Sequence, residues 1–267
     1  MITIIIPAYN EQDRIQNTLD EYGKYYQNHY LNNYEIIVVL NGCKDETEAV
    51  IIESIKKYKN IKYLNFPAAI GKGGAIKEGL KIAKGELVGY TDADNSTRPE
   101  ILHRLFSALE LTPSLDCIIG SREVIGSVIK NKTLKRKIMS RAFNGLVNFY
   151  FNTGFKDTQC GAKVVRSSII PKIMPNLLLS DMSFDVNFIV DVQKAGGKIL
   201  EMPIEWEDDN NSTVKPVKTS LLMFMSITRL KILYSPLKVI YPYIKPASKW
   251  IYNKIVGKKN ISIMENS

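Results

Sequence analysis

The sequence predicts an α/β protein with a mostly parallel sheet flanked by helices. Two observations carry that prediction. Short β-branched runs such as Ile2-Thr3-Ile4-Ile5-Ile6 and Ile36-Ile37-Val38-Val39-Leu40 are continuously apolar, as expected of strands buried on both faces. Between such runs lie stretches with apolar residues at helical spacing, and the alternation repeats through the first half of the chain. At 267 residues and 45% hydrophobic, the chain fits one large domain or one domain with an appendage.

The first strand is ended by Pro7, so Pro7-Ala8-Tyr9-Asn10-Glu11 falls at its carboxyl end, where open α/β sheets bind ligands. Ile15, Leu19, Tyr22 and Tyr26 mark a helix. The second strand, 35–40, meets the turn Asn41-Gly42, and a helix follows from about Asp45. There Asp45-x-x-Glu48 reads as a capping box, and Ile51, Ile55 and Tyr58 form the apolar stripe. After a third strand at 61–65, Gly71-Lys72-Gly73-Gly74 opens a helix that turns Ile76, Leu80 and Ala83 inward. Glycines there let backbone amides approach an anion, and Lys72 adds a point charge. Lys72 precedes the helix-opening glycines, so this is neither a Walker loop nor a dinucleotide fingerprint, and a flexible turn explains it as well.

The chain then delivers Leu87-Val88-Gly89-Tyr90-Thr91-Asp92-Ala93-Asp94, an apolar strand ending in two carboxylates. In an extended chain Asp92 and Asp94 leave the same face. Roughly 6 to 7 Å of rise separates them, so they divide the work: one holds a hard divalent cation, the other a water or a ribose hydroxyl. Asp-x-Asp by itself is also what a solvated turn looks like. Pro99 suits the first turn of the next helix, with Leu102, Leu105 and Leu109 inward, and Cys117-Ile118-Ile119-Gly120 is a buried strand that runs into Ser121-Arg122.

The character changes next. Lys130, Lys132, Lys135, Arg136, Lys137 and Arg141 crowd one segment while Met139, Phe143, Leu146 and Tyr150 recur at helical spacing. Such a helix rests on an anionic membrane or packs on a core with a solvated basic face. Asp157-Thr158-Gln159-Cys160-Gly161-Ala162-Lys163 is a polar turn entering a strand, and the helix with Phe184, Phe188 and Val192 stops at Gly196-Gly197. Residues 199–206 read as one strand, with Pro203 placing it at an edge. Beyond 208–211 the tail is amphipathic and basic, interleaving Tyr241, Tyr243, Lys245, Lys249, Trp250 and Lys254, and no order is expected from about residue 257.

A formal charge of +9 favours phosphates, nucleic acid or an acidic membrane surface. Cys43, Cys117 and Cys160 are odd in number and scattered, which speaks against a disulfide framework and for a reducing compartment. With only His29 and His103, no His-rich zinc site or Ser-His-Asp triad is indicated. Residues 2–6 are too short, and too lacking in a basic lead, for a signal peptide, and no apolar run reaches the ~20 residues of a spanning helix.

With residues 7–11, 71–74, 91–94 and 157–163 in this order, the chain resembles family 2 glycosyltransferases of GT-A (Rossmann-like) fold, and among them the dolichyl-phosphate glucosyltransferases and their polyprenyl-phosphate relatives. The resemblance runs from residue 2 to about residue 234. It implies a GT-A domain over 1–215, with a nucleotide-sugar half at 1–122 and an acceptor half at 123–215, followed by an amphipathic basic tail over 216–267. Pro7, Ala8, Tyr9, Glu11, Asn41, Lys72, Asp92, Ala93 and Arg122 would bind the nucleotide-sugar, and Asp92 and Asp94 would hold Mg2+ or Mn2+. Asp94, Asp157, Gln159, Lys163 and Asp185 would be catalytic, with Gly161 beside them. Lys132, Arg136, Arg141, Trp206 and Lys215 would receive the acceptor, with Ser212 in the segment that closes over the site. The family usually carries an acidic residue where Asn41 stands and Ser where Cys43 stands, which leaves the nucleobase open. The Gln-x-x-Arg-Trp signature of processive synthases is absent, which favours a single transfer.

The expected reaction is metal-dependent, inverting transfer of one sugar, glucose from UDP-glucose, onto a polyprenyl or dolichyl phosphate at the cytoplasmic face of a membrane, with no nucleic-acid partner. The metal, with Lys72 or Lys163, offsets charge on the departing diphosphate. A phosphate acceptor needs no base, whereas a hydroxyl acceptor needs a carboxylate such as Asp157 or Asp185. Rival readings are the same fold acting on a soluble glycan, capsule or teichoic acid acceptor, a nucleotidyltransferase, and a non-enzymatic basic nucleic-acid- or membrane-binding module. No signature of an oligomeric state is present.

Overall fold

The computed structural model describes residues 1–130, 133–207 and 216–256. Nine strands are described: β1 (Ile2–Ala8), β2 (Tyr34–Asn41), β3 (Ile61–Phe66), β4 (Leu87–Tyr90), β5 (Cys117–Ser121), β6 (Val128–Lys130), β7 (Lys163–Arg166), β8 (Ile199–Pro203) and β9 (Glu205–Glu207). The helices are α1 (Ile15–Tyr30), α2 (Thr47–Lys57), α3 (Lys72–Ile82), α4 (Pro99–Leu111), α5 (Leu134–Phe151), the short α6 (Ile170–Ile173), α7 (Phe184–Lys194), α8 (Pro216–Leu233) and α9 (Tyr241–Val256).

Seven strands form one sheet in the order β3-β2-β1-β4-β7-β5-β8, parallel except for β7, which runs antiparallel to both β4 and β5. Alternate residues of each strand face opposite sides, so β1 splits its apolar run between two cores. Ile4 and Ile6 meet Leu19 and Tyr22 of α1 and Leu102 and Phe106 of α4. Ile5 meets Ile76 and Leu80 of α3 and Phe184 and Phe188 of α7 on the other face. With helices on both faces the strands need no polar side, which explains their unbroken hydrophobicity. The strand order reverses between β1 and β4, and the loops leaving their carboxyl ends open a crevice there.

A third cluster joins Phe143 and Val147 of α5, Val186 and Val190 of α7, and Met223 and Ile227 of α8. The basic helix at 134–151 therefore does pack on the core, through the Phe143 side.

Three local expectations are corrected. The apolar strand ends at Tyr90, so Asp92 and Asp94 stand in the loop beyond it and strand alternation does not orient them. The Asp45-x-x-Glu48 box is not formed. Helix α2 starts at Thr47, and Asp45 accepts from Thr47 N and Oγ1 at 3.2 and 2.5 Å and from Gln12 N at 3.2 Å, closing a turn and tying two loops. Residues 199–206 are two strands, not one. Pro203 donates no hydrogen bond, β8 ends there as the sheet edge, and after Ile204 the chain pairs as β9 with β6 in a separate two-stranded sheet.

Candidate functional site

At the carboxyl ends of β1, β2 and β4 lies a cleft of about 230 Å³, lined by Pro7, Ala8, Tyr9, Glu11, Asn41, Lys72, Asp92, Ala93 and Asp94. Arg14 and Met182 also line it. Neither stood out in the sequence. Arg14 had one signal, since it follows Glu11 by three residues at a helix start and pairs with it at 2.6 Å. Met182 had none, because the loop that brings it here is held by contacts remote in sequence.

Each wall has a local cause. The 7–11 segment turns through Asn10 at φ 54°, and Glu11 N donates to Thr47 Oγ1 at 2.8 Å. Asn41 ends β2, and its Oδ1 accepts from Ile70 N at 2.6 Å and Gly71 N at 2.9 Å, which positions the loop before α3 and leaves the Asn41 amide NH2 for the cleft. Gly71 has φ +80°, and a Cβ there would lie 2.1 Å from Ser180 O, so the helix start admits no side chain at this position. Cys43 Sγ takes Asn10 N at 3.4 Å, a structural contact.

The charges form two separate groups. Lys72 Nζ lies 2.6 Å from Asp92 Oδ1 and 3.4 Å from Asp185 Oδ2. Asp185 also takes Lys163 Nζ at 2.6 Å and Tyr90 OH at 2.8 Å. Lys163 is fully buried; its ammonium also donates to the Cys160 carbonyl and lies 5.6 Å from the Tyr90 ring centre. Burial opposes ionisation of Asp185, but Lys163 and Lys72 outweigh it and hold its pKa below the usual carboxylate range. In the second group Asp157 receives Arg122 Nε at 2.7 Å, Arg122 Nη2 at 3.0 Å and Arg122 N at 3.0 Å. Although burial opposes it, this bidentate guanidinium lowers Asp157 to about 2. The Arg122 guanidinium lies 5.1 Å from the Trp206 ring centre.

The cleft carboxylates behave differently. Burial pushes Glu11 up to about 7 against the pull of Arg14, with Asp94 and Asp92 adding to the rise. Asp94 is raised by burial and then by Asp92, while Ser96 N donates to it at 3.0 Å. Gly161 packs so tightly on Asp92 that a Cβ would come 2.1 Å from its Oδ2.

No group of three or more His, Cys, Asp or Glu is placed to hold an ion among the described residues. A magnesium-type ion needs no such cage, since it takes one or two carboxylates and completes its shell with substrate phosphates and water. Asp92 and Asp94, two carboxylates lining one cleft, the second raised by burial and then by the first, fit that donor set.

The structure thus brings together nine of the predicted residues in one cleft. Asp185 reaches it through Lys72, while Lys163 stands behind, paired to Asp185. Arg122, Asp157 and Trp206 form a neighbouring cluster, and Gln159 Nε2 points to Met223 Sδ of α8 at 3.6 Å. Arg136 and Arg141 sit on α5 and do not line the cleft. Thr133 Oγ1 caps α5 by accepting from the Arg136 amide, and Arg141 Nε pairs with Glu123 at 2.9 Å. Lys132, Ser212 and Lys215 lie outside the described residues.

The Glycosyl transferase family 2 model matches residues 3–174, which hold every cleft residue except Met182, together with Lys163, Arg122 and Asp157 but not Asp185. The chain belongs to glycosyltransferase family 2. This glycosyltransferase takes its sugar from a nucleotide-sugar donor. It is 33% identical over 221 residues to a dolichyl-phosphate beta-glucosyltransferase of Trichomonas vaginalis, covering 80% of this chain and 68% of that one. To the dolichyl-phosphate beta-glucosyltransferase of Dictyostelium discoideum it is 30% identical, over 87% of this chain and 74% of that one. Among solved structures, glucosyl-3-phosphoglycerate synthase of Mycobacterium tuberculosis with Mn2+, UDP-glucose and phosphoglyceric acid superposes with a TM-score of 0.67 at 15% identity, over 88% of this chain and 81% of that one. Mannosyl-3-phosphoglycerate synthase of Rubrobacter xylanophilus gives 0.66 at 16% identity, over 93% and 75%. These likenesses establish the GT-A fold of the glycosyltransferase.

Proposed function

We propose that this glycosyltransferase moves one glucose from UDP-glucose to a polyprenyl or dolichyl phosphate, with inversion and with a divalent metal, Mg2+ or Mn2+. The observation that carries the reading is the 30–33% identity to relatives named dolichyl-phosphate beta-glucosyltransferases over most of the chain.

The cleft residues divide the donor between them. Pro7, Ala8 and Tyr9 line the nucleoside end, and the Asn41 NH2 offers a neutral donor to a base carbonyl. Asp92 and Asp94 would hold the metal, which when bound supplies Lewis-acid stabilisation to the diphosphate leaving group. Lys72 adds a fixed positive charge at the same place. Because Asp185, itself fixed by Lys163, holds it from behind, it needs little reorganisation as charge builds.

The two carboxylates considered as bases are weak ones. Asp157 is held ionised at about 2 by Arg122, and Asp185 is lowered by Lys163 and Lys72, so neither readily takes a proton from a hydroxyl. An ionised phosphate acceptor needs no proton removed and attacks as it arrives. Arg122, beside the cleft and stacked on Trp206, supports a role in holding that phosphate.

The deciding experiment offers a panel of UDP- and GDP-sugars and a polyprenyl phosphate in detergent, with Mg2+, Mn2+ or chelator, and reads the lipid product by mass. A hexose adduct from UDP-glucose that vanishes with chelator is expected. Donor hydrolysis without a lipid product, or transfer to a soluble glycan instead, overturns the acceptor assignment.

A further inference from the structure

The positive charge of the chain is not spread evenly. Helices α5, α8 and α9 and the 3-10 turn Pro236–Ile240 contain eleven Lys and Arg and no Asp or Glu. The rest of the chain has 25 basic and 27 acidic residues, so the whole of the +9 excess resides in these helices. They are contiguous. Tyr150 OH of α5 lies 3.4 Å from Thr228 Oγ1 of α8, and the Arg229 guanidinium lies 5.5 Å from the Tyr241 ring of α9.

Each helix has a second apolar side. In α5 the Phe143 and Val147 side is buried, yet Leu134, Ile138 and Phe149 on the opposite stripe are 72%, 59% and 83% exposed. In α8, Met223, Ile227 and Leu230 face the core while Leu221 and Phe224 face out. In α9, Tyr243 and Trp250, seven residues apart on one stripe, are 84% and 65% exposed, and Lys254 Nζ lies 5.2 Å from the Trp250 ring. The three core clusters are built without these exposed residues, which form an exposed face among the described residues.

We infer that the outer face of α5, α8, the 236–240 turn and α9 docks on an anionic lipid bilayer, with Trp250 and Tyr243 at the headgroup level. Exposed aliphatic and aromatic side chains among cations, on elements that carry no carboxylate of their own, are the composition of an interfacial surface. Protein interfaces are depleted in Lys, and a phosphodiester backbone offers nothing to Leu134, Ile138 or Val239. No described helix is long and apolar enough to cross the bilayer, so the contact is lateral. On α5, Glu123 neutralises Arg141, which leaves much of the attraction to the C-terminal part, where Lys238 and Lys245 are exposed. The inference deepens the lipid-phosphate assignment and takes its biological purpose from it.

The test uses the full chain with vesicles of phosphatidylcholine alone or mixed equally with phosphatidylglycerol, read by co-sedimentation and tryptophan emission. The chain has two tryptophans, and Trp250 is the exposed one against the half-buried Trp206. Binding to the anionic vesicles alone is expected, with a blue shift lost in Trp250→Phe and an affinity reduced about fivefold for each of Lys238→Gln and Lys245→Gln. Absence of sedimentation, equal binding to neutral vesicles, a lipid-free dimer that shifts Trp250, or preferential binding to duplex DNA overturns it. Transfer to a short-chain, water-soluble polyprenyl phosphate is measured in parallel without vesicles. Transfer without vesicle binding overturns the docking face alone, and vesicle binding without transfer overturns the acceptor reading alone.

Discussion

The Lys72 ammonium lies 2.6 Å from Asp92 Oδ1, so the glycine-opened helix and the Asp-x-Asp loop are joined by a direct ion pair. Asp185, 3.4 Å away, is a second carboxylate on Lys72, and Lys163 in turn balances Asp185. Burial works against the charge on Lys72, but Asp185 and Asp92 raise its pKa, and it stays cationic across the accessible pH range.

Replacing Lys72 by Ala is expected to lower kcat/KM by about 100-fold or more, the usual cost of removing one preorganised stabiliser of developing negative charge. Steady-state kinetics check the loss, and calorimetric titration with UDP shows how much of it is donor binding.

Asp94→Ala is expected to abolish metal-stimulated transfer while the circular dichroism spectrum and melting temperature change little, because Asp94 forms no salt bridge among the described residues. Turnover retained with added Mn2+ would remove Asp94 from the metal assignment.

Gly161→Ala places a methyl group 2.1 Å from Asp92 Oδ2 and must displace that carboxylate or the loop at 157–163. A displacement near 1 Å costs about 100-fold in rate. Activity should fall by that order, measured beside a thermal melt that separates site damage from unfolding.

Asp157→Ala leaves the Arg122 guanidinium buried without its bidentate partner, which costs about 3–5 kcal/mol. Urea unfolding should show the lowered midpoint.

These groups should make stability fall on both sides of about pH 4. Glu11 and Asp191 are each pushed up to about 7, chiefly by burial, so between the unfolded carboxylate range and pH 7 the folded protein binds more protons, and stability drops as pH rises through that window. Asp157 has the opposite sign. Its pKa falls from 3.8 to about 2, and its contribution is lost as pH drops below about 4. Melting curves from pH 3 to 9 should show both slopes, and Glu11→Gln should flatten the one on the alkaline side.

Most of the fold was legible locally. The β1 to β5 alternation follows from continuous apolar runs and helical stripes, because those periodicities report which faces are buried. The misreadings arose where two neighbouring local signals competed. Asp45 had a capping spacing but its carboxylate was taken by Thr47 and Gln12, and the 199–206 run hid a break that only the second sheet reveals. In the cleft, Glu11, Asn41, Lys72, Asp92 and Asp94 were visible because each follows a strand end or opens a helix. Met182 was invisible because its loop is held by Ser226 of α8 through Asp181.

The sequence by itself determined the strands and helices of the first half and which residues stand at the carboxyl ends of β1, β2 and β4, since both depend on neighbours within a few positions. Only the tertiary structure decided the ion pairing. It set Lys72 beside Asp185, 113 residues away, locked Lys163 behind it instead of in the open cleft, and matched Arg122 with Asp157. Those pairs depend on the order in which strands enter the sheet and on the one antiparallel strand, β7, between β4 and β5. Strand order is a property of the packed sheet, and no local periodicity contains it.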